Sequence, residues 1–412
     1  MISYVGGSLH IEQVPIKKLA FKYGTPSYIY SKNKIIENYK AYRDAYSKFS
    51  PIICYAVKAC SNINILKIIS NLGAGFECVS EGEYRRTQIA DNMNNRIVIS
   101  GVCKSKAEIE QYIQGNVLHI NAESIEEIVA INQISKNYNK ITNIGIRINP
   151  DVKPNTHEKI TTGSKENKFG VLFSDFKESL ETIKQCNHLN IESLSFHIGS
   201  QIVNIEAYEL AYTKIAEILE FIRTQNIHPK YINIGGGVGI SYHNQKTINL
   251  GKLAQLYNRI LSHFNLQLII EPGRFITGNA GILLSKIISI KHSKECRPFL
   301  FIDAGMNDFL RTAMYGCNHK IIPIAQQESS GHVYQIAGPI CESSDIFDKN
   351  YTSSKPQIGD FIAILDAGAY CASMSSNYNS RPLLCEVLID KNQDALIRKR
   401  QPLEDLFKYE LI

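Results

Sequence analysis

Four places in the sequence carry residue types that could do chemistry. Lys58 closes the apolar run Ile52 to Val57, His197 follows Leu194-Ser195-Phe196, Gly235-Gly236-Gly237 follows Tyr231 to Ile234, and Glu271 ends Leu268 to Ile270. An amine leaving a buried strand either reaches for water along its own aliphatic stem or, in a partly desolvated pocket, has the lowered pKa that Schiff-base formation needs. A carboxylate in an apolar strand is costly without a cationic partner. For Glu271 that partner is either Arg274, three residues on, or the protonated ring nitrogen of a pyridine cofactor, which would be strengthened as an electron sink. His197 is either a satisfied core histidine or a flat ring placed for stacking. The three glycines are either a turn or a place where backbone N–H groups approach a phosphate.

These residues gain meaning from the elements that must position them. Eight short β-branched runs end in polar or glycine-rich loops: Ile52 to Lys58, Gly75 to Ser80, Arg96 to Ser100, Val117 to Asn121, Ile144 to Asn149, Leu194 to Gly199, Tyr231 to Gly235, and Leu268 to Glu271. Helical stretches lie between them: Asn62 to Leu72, Glu81 to Asp91, Ala122 to Asn137, Phe176 to Gln185, Ile205 to Thr224 and Leu250 to Phe264. Repeated β-then-α order calls for parallel strands with right-handed crossovers, and eight such units close an α/β barrel of the (β/α)8 kind. An open doubly wound sheet is disfavoured because no GxGxxG follows the first strand. Barrel active sites lie at the C-terminal strand ends, which is where Lys58, His197, the glycines and Glu271 fall.

After Glu271 the rhythm changes. Leu283 to Ile290, Phe299 to Asp303, Val333 to Ala337, Asp360 to Leu365 and Leu383 to Ile389 read as strands joined by turns, a C-terminal mostly antiparallel β domain. The expected division is a barrel over 27–275 and a β domain formed by 1–26 with 276–412. The long polar connection Pro150 to Lys168 is either a surface excursion or a lid.

Composition narrows the class. The 412 residues are 44% hydrophobic and 20% charged, enough for a large core, and a net charge of +6 without a basic block interleaved with aromatics argues against a nucleic-acid partner. The first thirty residues lack the features of a secretory signal, and no apolar stretch approaches the roughly 20 residues needed to cross a bilayer. Cytoplasm is therefore the expected compartment, with no membrane partner. The ten cysteines show no CxxC pair or zinc-finger spacing, so they read as reduced thiols and no metal is expected.

Six segments in this order resemble diaminopimelate decarboxylase, a family in the barrel-plus-β-domain class of pyridoxal-phosphate enzymes. They are Tyr55-Ala56-Val57-Lys58, His197-Ile198-Gly199-Ser200-Gln201, Gly235-Gly236-Gly237, Glu271-Pro272-Gly273-Arg274, Gly338-Pro339-Ile340-Cys341-Glu342-Ser343 and Gly368-Ala369-Tyr370. Together they span nearly the whole chain. The resemblance implies that Lys58 holds pyridoxal 5'-phosphate as a Schiff base and that His197 stacks on its ring. It implies that Glu271 meets the ring nitrogen. Ser200, Gly235, Gly236, Gly237 and the backbone of Gly273 and Arg274 would hold the phosphate side. Arg274, Arg311, Tyr315, Glu342 and Tyr370 match substrate-binding positions, Tyr370 also lying near the cofactor. Cys341 matches the cysteine that protonates the carbanion, reaching with Glu342 into the partner subunit, so a homodimer with shared sites is implied. Two departures stand beside the site: Glu77 where many relatives have Asp, and Cys60 where Asn is usual.

The implied reaction is decarboxylation of meso-2,6-diaminopimelate to L-lysine and carbon dioxide, with the small amino acid as ligand. Rival readings are a relative acting on ornithine, arginine or carboxynorspermidine, a non-catalytic homologue that binds pyridoxal phosphate, and a racemase of like architecture. An arginine opposite the ring nitrogen would suit the racemase; Glu271 suits the decarboxylase.

Overall fold

The computed structural model describes residues 2–93, 95–115, 117–153, 162–242, 245–327 and 331–411. They form two compact units, one of residues 38–240 with 246–275 and the other of residues 1–37, 241–245 and 276–412.

The first unit is a closed parallel barrel. Its strands are Ile52–Ala56, Gly75–Cys78, Ile97–Ile99, His119–Ala122, Thr142–Asn149, Leu189–Ser195, Tyr231–Asn233 and Gln267–Ile270. Each pairs in parallel with the next, and the eighth returns to the first through Ile269 against Ile52 and Ile270 against Ile53. A two-residue strand, Val171–Leu172, adds to the outer end of the fifth. All eight expected runs are strands, because short β-branched segments can bury both faces only between a helix layer and a filled lumen.

The helices follow the expected order. Ser80, Ser124 and Asn249 cap Glu81–Ala90, Ile125–Asn137 and Leu250–Ile260 through side-chain oxygens that accept backbone N–H groups. Phe176 to Gln185 is two short helices instead of one, broken at Ser179. One further helix, Lys106–Gln114, crosses between the third and fourth strands; its Ser105 and Glu108 form a reciprocal capping box.

The second unit is built on the long strand Gly281–Lys291, antiparallel to Ser27–Ser31, Phe299–Ile302 and Phe361–Ile364. Cys385–Asp390 runs parallel to Ser27–Ser31 and turns back antiparallel into Gln393–Arg398. Its core holds Leu9, Ile11, Val14, Ile29, Ile282, Leu284, Ala363 and Val387. The N-terminal strands therefore pack into this unit, with the Leu9 N–H donating to the Ile324 carbonyl at 2.7 Å.

The expected boundary between 26 and 27 is displaced: Ser27–Ser31 belongs to the β unit, as do residues up to Glu37 and Ser241–Gln245. Tyr28-Ile29-Tyr30 is buried on both faces, and its hydrogen-bonding edges are taken by Gly281–Lys291 and Cys385–Asp390. A buried apolar run looks the same from sequence in either sheet.

Replacing Ser105 by Ala removes one half of the capping box and should cost about 1 kcal/mol. Urea unfolding should show a lower midpoint at unchanged m-value; an unchanged midpoint would show that the box contributes nothing.

Candidate active site

The first barrel strand ends in a 3-10 turn, Val57–Ala59, which carries Lys58 out of the apolar run. Its Nζ lies 2.8 and 2.7 Å from the two carboxylate oxygens of Glu77, on the second strand. The lysine side chain is 40% exposed while that of Glu77 is 3% exposed, so the amine faces open space with its counter-ion behind it. Glu77 was not among the site residues expected from sequence. The signal was present: a carboxylate inside the apolar strand Gly75–Cys78 calls for a cation just as Glu271 does.

Glu271 follows the eighth strand. Asn233 Nδ2 donates to its Oε1 at 2.6 Å, and Asn233 Oδ1 accepts from the Gly235 N–H at 2.9 Å, so one amide links the carboxylate to the glycine turn. Among the described residues no cation forms an ion pair with Glu271, and Arg274 is engaged elsewhere. Burial, and then the Glu77 carboxylate, push the Glu271 pKa up to about 7, against the Asn233 hydrogen bond and the Lys58 and Arg147 charges.

His197 extends from the sixth strand, and its Nδ1 accepts from the Gly236 N–H at 3.2 Å. Burial, together with the Arg147 and Lys58 charges, holds its pKa well below the usual histidine range. The ring is thus a neutral imidazole with its proton on Nε2. Arg147 itself pairs with Glu123 at 2.8 Å beside the ring of Phe169, a buried ion pair that the sequence did not signal.

The glycine turn has no room for side chains. A Cβ on Gly235 would fall 2.6 Å from the Phe196 carbonyl oxygen, on Gly236 2.1 Å from that of Glu271, and on Gly237 2.3 Å from that of Gly199; Gly235 and Gly237 also have φ of +64° and +96°. Beside it, Arg274 Nη2 donates to Ser200 Oγ at 2.9 Å, and Gly273 and Arg274 are buried where the eighth strand meets a short helix, Arg274–Thr277.

These residues fit pyridoxal phosphate. They offer an amine held at an open mouth, a recessed carboxylate without an ion-pair partner among the described residues, a neutral ring, and a side-chain-free turn beside a hydroxyl and a guanidinium suited to an anion. No group of acidic, histidine or cysteine residues able to hold a metal occurs among the described residues.

The other expected residues lie on the β unit. Arg311 is 2% exposed; its Nε donates to His319 Nε2 at 3.4 Å, its Nη2 to Cys317 Sγ at 3.3 Å, and its guanidinium lies 5.6 Å from the Tyr315 ring centre. No carboxylate pairs with it among the described residues. Cys341 and Glu342 are exposed; the Cys341 N–H donates to Asn379 Oδ1 at 2.9 Å, and the Tyr378 hydroxyl donates to Glu342 at 3.3 Å. Tyr370 has a φ of +55°. In the Pro150 to Lys168 connection, Thr156, His157 and Glu158 lie outside the described residues; on its described flank Thr162 donates to the His197 carbonyl at 3.0 Å.

Comparison with known proteins places the fold in a family. The family described as pyridoxal-dependent decarboxylase, pyridoxal binding domain, matches residues 32–278. The chain belongs to this class of decarboxylases. Within it, the chain is 38% identical to diaminopimelate decarboxylase of Haemophilus influenzae over 99% of this chain and 98% of the other. It is 40% identical to that of Aquifex aeolicus over 97% and 95%. The crystal structure of diaminopimelate decarboxylase from Helicobacter pylori complexed with L-lysine superposes with a TM-score of 0.92 at 40% identity, covering 96% of this chain and 99% of that one. That from M. jannaschii in co-complex with L-lysine gives 0.94 at 34%, covering 100% and 98%. The chain is a member of the diaminopimelate decarboxylase family.

In the cofactor-free protein, a Glu271 pKa raised to about 7 means that the folded state holds its proton more tightly than the unfolded chain does. Stability from this group is present at acid pH and is lost as pH rises from the ordinary carboxylate value through about 7. Glu83, also pushed up to about 7 by burial, titrates in the same window, so the comparison is between wild type and Glu271→Gln. Melting of both apoproteins from pH 5 to 8 should show a shallower decline in the variant; parallel declines would contradict the raised pKa.

Proposed function

We propose that this protein removes one carboxylate of meso-2,6-diaminopimelate as carbon dioxide and releases L-lysine, with pyridoxal phosphate bound at Lys58. The observation that carries this reading is the pairing at one barrel mouth of an exposed amine on Glu77 with a recessed Glu271 that has no ion-pair partner among the described residues. When bound, pyridoxal phosphate supplies an electron sink that takes up the electron pair of the breaking carbon–carboxylate bond.

The chain's own residues make that sink effective. Glu271 holds a proton at the ring nitrogen, and Asn233 keeps its Oε1 occupied so that the second oxygen is the one presented. Glu77 holds Lys58 Nζ in place at the mouth. His197, with Nδ1 already accepting from the Gly236 N–H, presents a neutral flat ring for stacking. Ser200, Gly235 to Gly237, Gly273 and Arg274 hold the phosphate.

Arg311, Tyr315 and Tyr370, with Arg274, bind the substrate. Arg311 is a buried guanidinium without a carboxylate partner among the described residues, a costly state that a substrate carboxylate relieves. A pocket arranged around such a terminus discriminates strongly against amino acids that lack it. Cys341, as a thiol, delivers the final proton, and Glu342 meets the substrate amine. Their exposure on the β unit suits a role in the partner subunit's site of a homodimer. The cytoplasm is the expected compartment; no helix among the described residues is long and apolar enough to cross a membrane.

Carbon dioxide release should be measured with meso-diaminopimelate, lysine, ornithine and arginine. Turnover is expected with the first, and equal rates on ornithine or arginine would reassign the substrate. Arg311→Ala should lower kcat/KM by about tenfold to a hundredfold, the worth of a charged hydrogen bond; near wild-type kinetics would remove Arg311 from the site.

A further inference from the structure

Below its mouth the barrel holds a polar layer that the proposed chemistry leaves unused. His119 and Asn121 project to the same side of the fourth strand, since successive strand residues alternate. On neighbouring strands Asn121 is in register with Gly145, Gly145 with Ser193, and Ser193 with Tyr231. That side is the lumen, because Tyr231 packs with Cys54, Val98 and Ile269 from the first, third and eighth strands. The rings of His119 and Tyr231 lie 6.1 Å apart. Gly145 leaves the space these groups occupy: a Cβ there would stand 2.1 Å from Asn121 Oδ1 and 3.2 Å from His119 Nε2.

The layer is sealed, with His119 and Ser193 0% exposed, Asn121 2% and Ser195 3%. Yet both ring nitrogens of His119, Asn121 Oδ1, Ser193 Oγ and Ser195 Oγ have no hydrogen bond of good geometry among the described residues, His119 and Asn121 interacting only loosely with each other. Native interiors rarely leave one such atom unsatisfied, and here several share one layer. Burial, against the opposing pull of the Asn121 side chain, holds the His119 pKa down to about 4, so its neutral ring presents one N–H donor and one lone pair. A cation is a poor occupant, because the layer brings no carboxylate or thiolate. An occupant must both donate and accept, and must be small.

We propose that this layer is a specific site for internal water, bridging His119 and Asn121 to Ser193 and Ser195. Ser195 is in register with Asn233, the residue that grips Glu271, so the water site lies on the strand pair that supports the acid at the mouth. The inference stands on the lumen's own geometry and is independent of which substrate the enzyme takes.

The test combines a crystal structure of the holoenzyme, at a resolution that shows ordered water, with the melting midpoint of the double variant Ser193→Ala, Ser195→Ala. Density within hydrogen-bond distance of at least two of the four side chains is expected. The double variant should melt lower by about 2–4 °C, because the water loses partners. A lumen without that density, or a double variant melting at or above wild type as when unpaired hydroxyls are simply removed, overturns the proposal. Should the double variant fail to fold, the wild-type density alone decides.

Discussion

Two carboxylates and one amine at the mouth of the barrel set the terms for the rest of the molecule. The Glu77 carboxylate raises the cost of ionising Glu271, and the Lys58 ammonium is paired with Glu77 and not with Glu271. In a desolvated pocket such an imbalance is expensive. A protein retains it when a further cation, supplied by a ligand, completes the set. A protonated pyridine nitrogen is such a cation, and it is the group whose protonation makes decarboxylation possible.

The fold serves this arrangement by putting each partner on a different strand. Lys58, Glu77, His197, the glycine turn and Glu271 leave the first, second, sixth, seventh and eighth strands, and parallel pairing brings their C-terminal ends to one rim. Asn233 then couples two parts of the rim, one end on Glu271 and the other on the Gly235 N–H. The glycines allow this closeness: any side chain at Gly236 would strike the Glu271 carbonyl. Positioning and electrostatics are therefore one constraint, met by strand register and absent Cβ atoms together.

Much of this was legible in the sequence because it rests on local pattern. The eight β-branched runs, the strand-ending positions of Lys58 and Glu271, and the late change to antiparallel rhythm all follow from periodicity and turn chemistry. What escaped depends on tertiary pairing. Ser27–Ser31 is apolar on both faces and could belong to either unit; only its partners, Gly281–Lys291 and Cys385–Asp390, decide. Lys106–Gln114 escaped although Ser105 and Glu108 spell a capping box, since it buries only Ile109, Tyr112 and Ile113 and shows little apolar pattern. Glu77 looked like a residue beside the site and Arg147 carried no signal, because nothing in a linear sequence says that they face Lys58 and Glu123 across neighbouring strands. The exposed positions of Cys341 and Glu342 likewise have no periodic signature.

The central claim is that the amine of Lys58, backed by Glu77, is the one that holds pyridoxal phosphate. It is tested most directly by reducing the holoenzyme with borohydride, digesting it, and sequencing the peptide that retains the cofactor's absorbance. A single labelled peptide spanning Tyr55 to Cys60, modified at Lys58, is the expected result. Label on another lysine, or none in protein that carries the cofactor, would contradict the assignment and with it the roles given to Glu77 and Glu271.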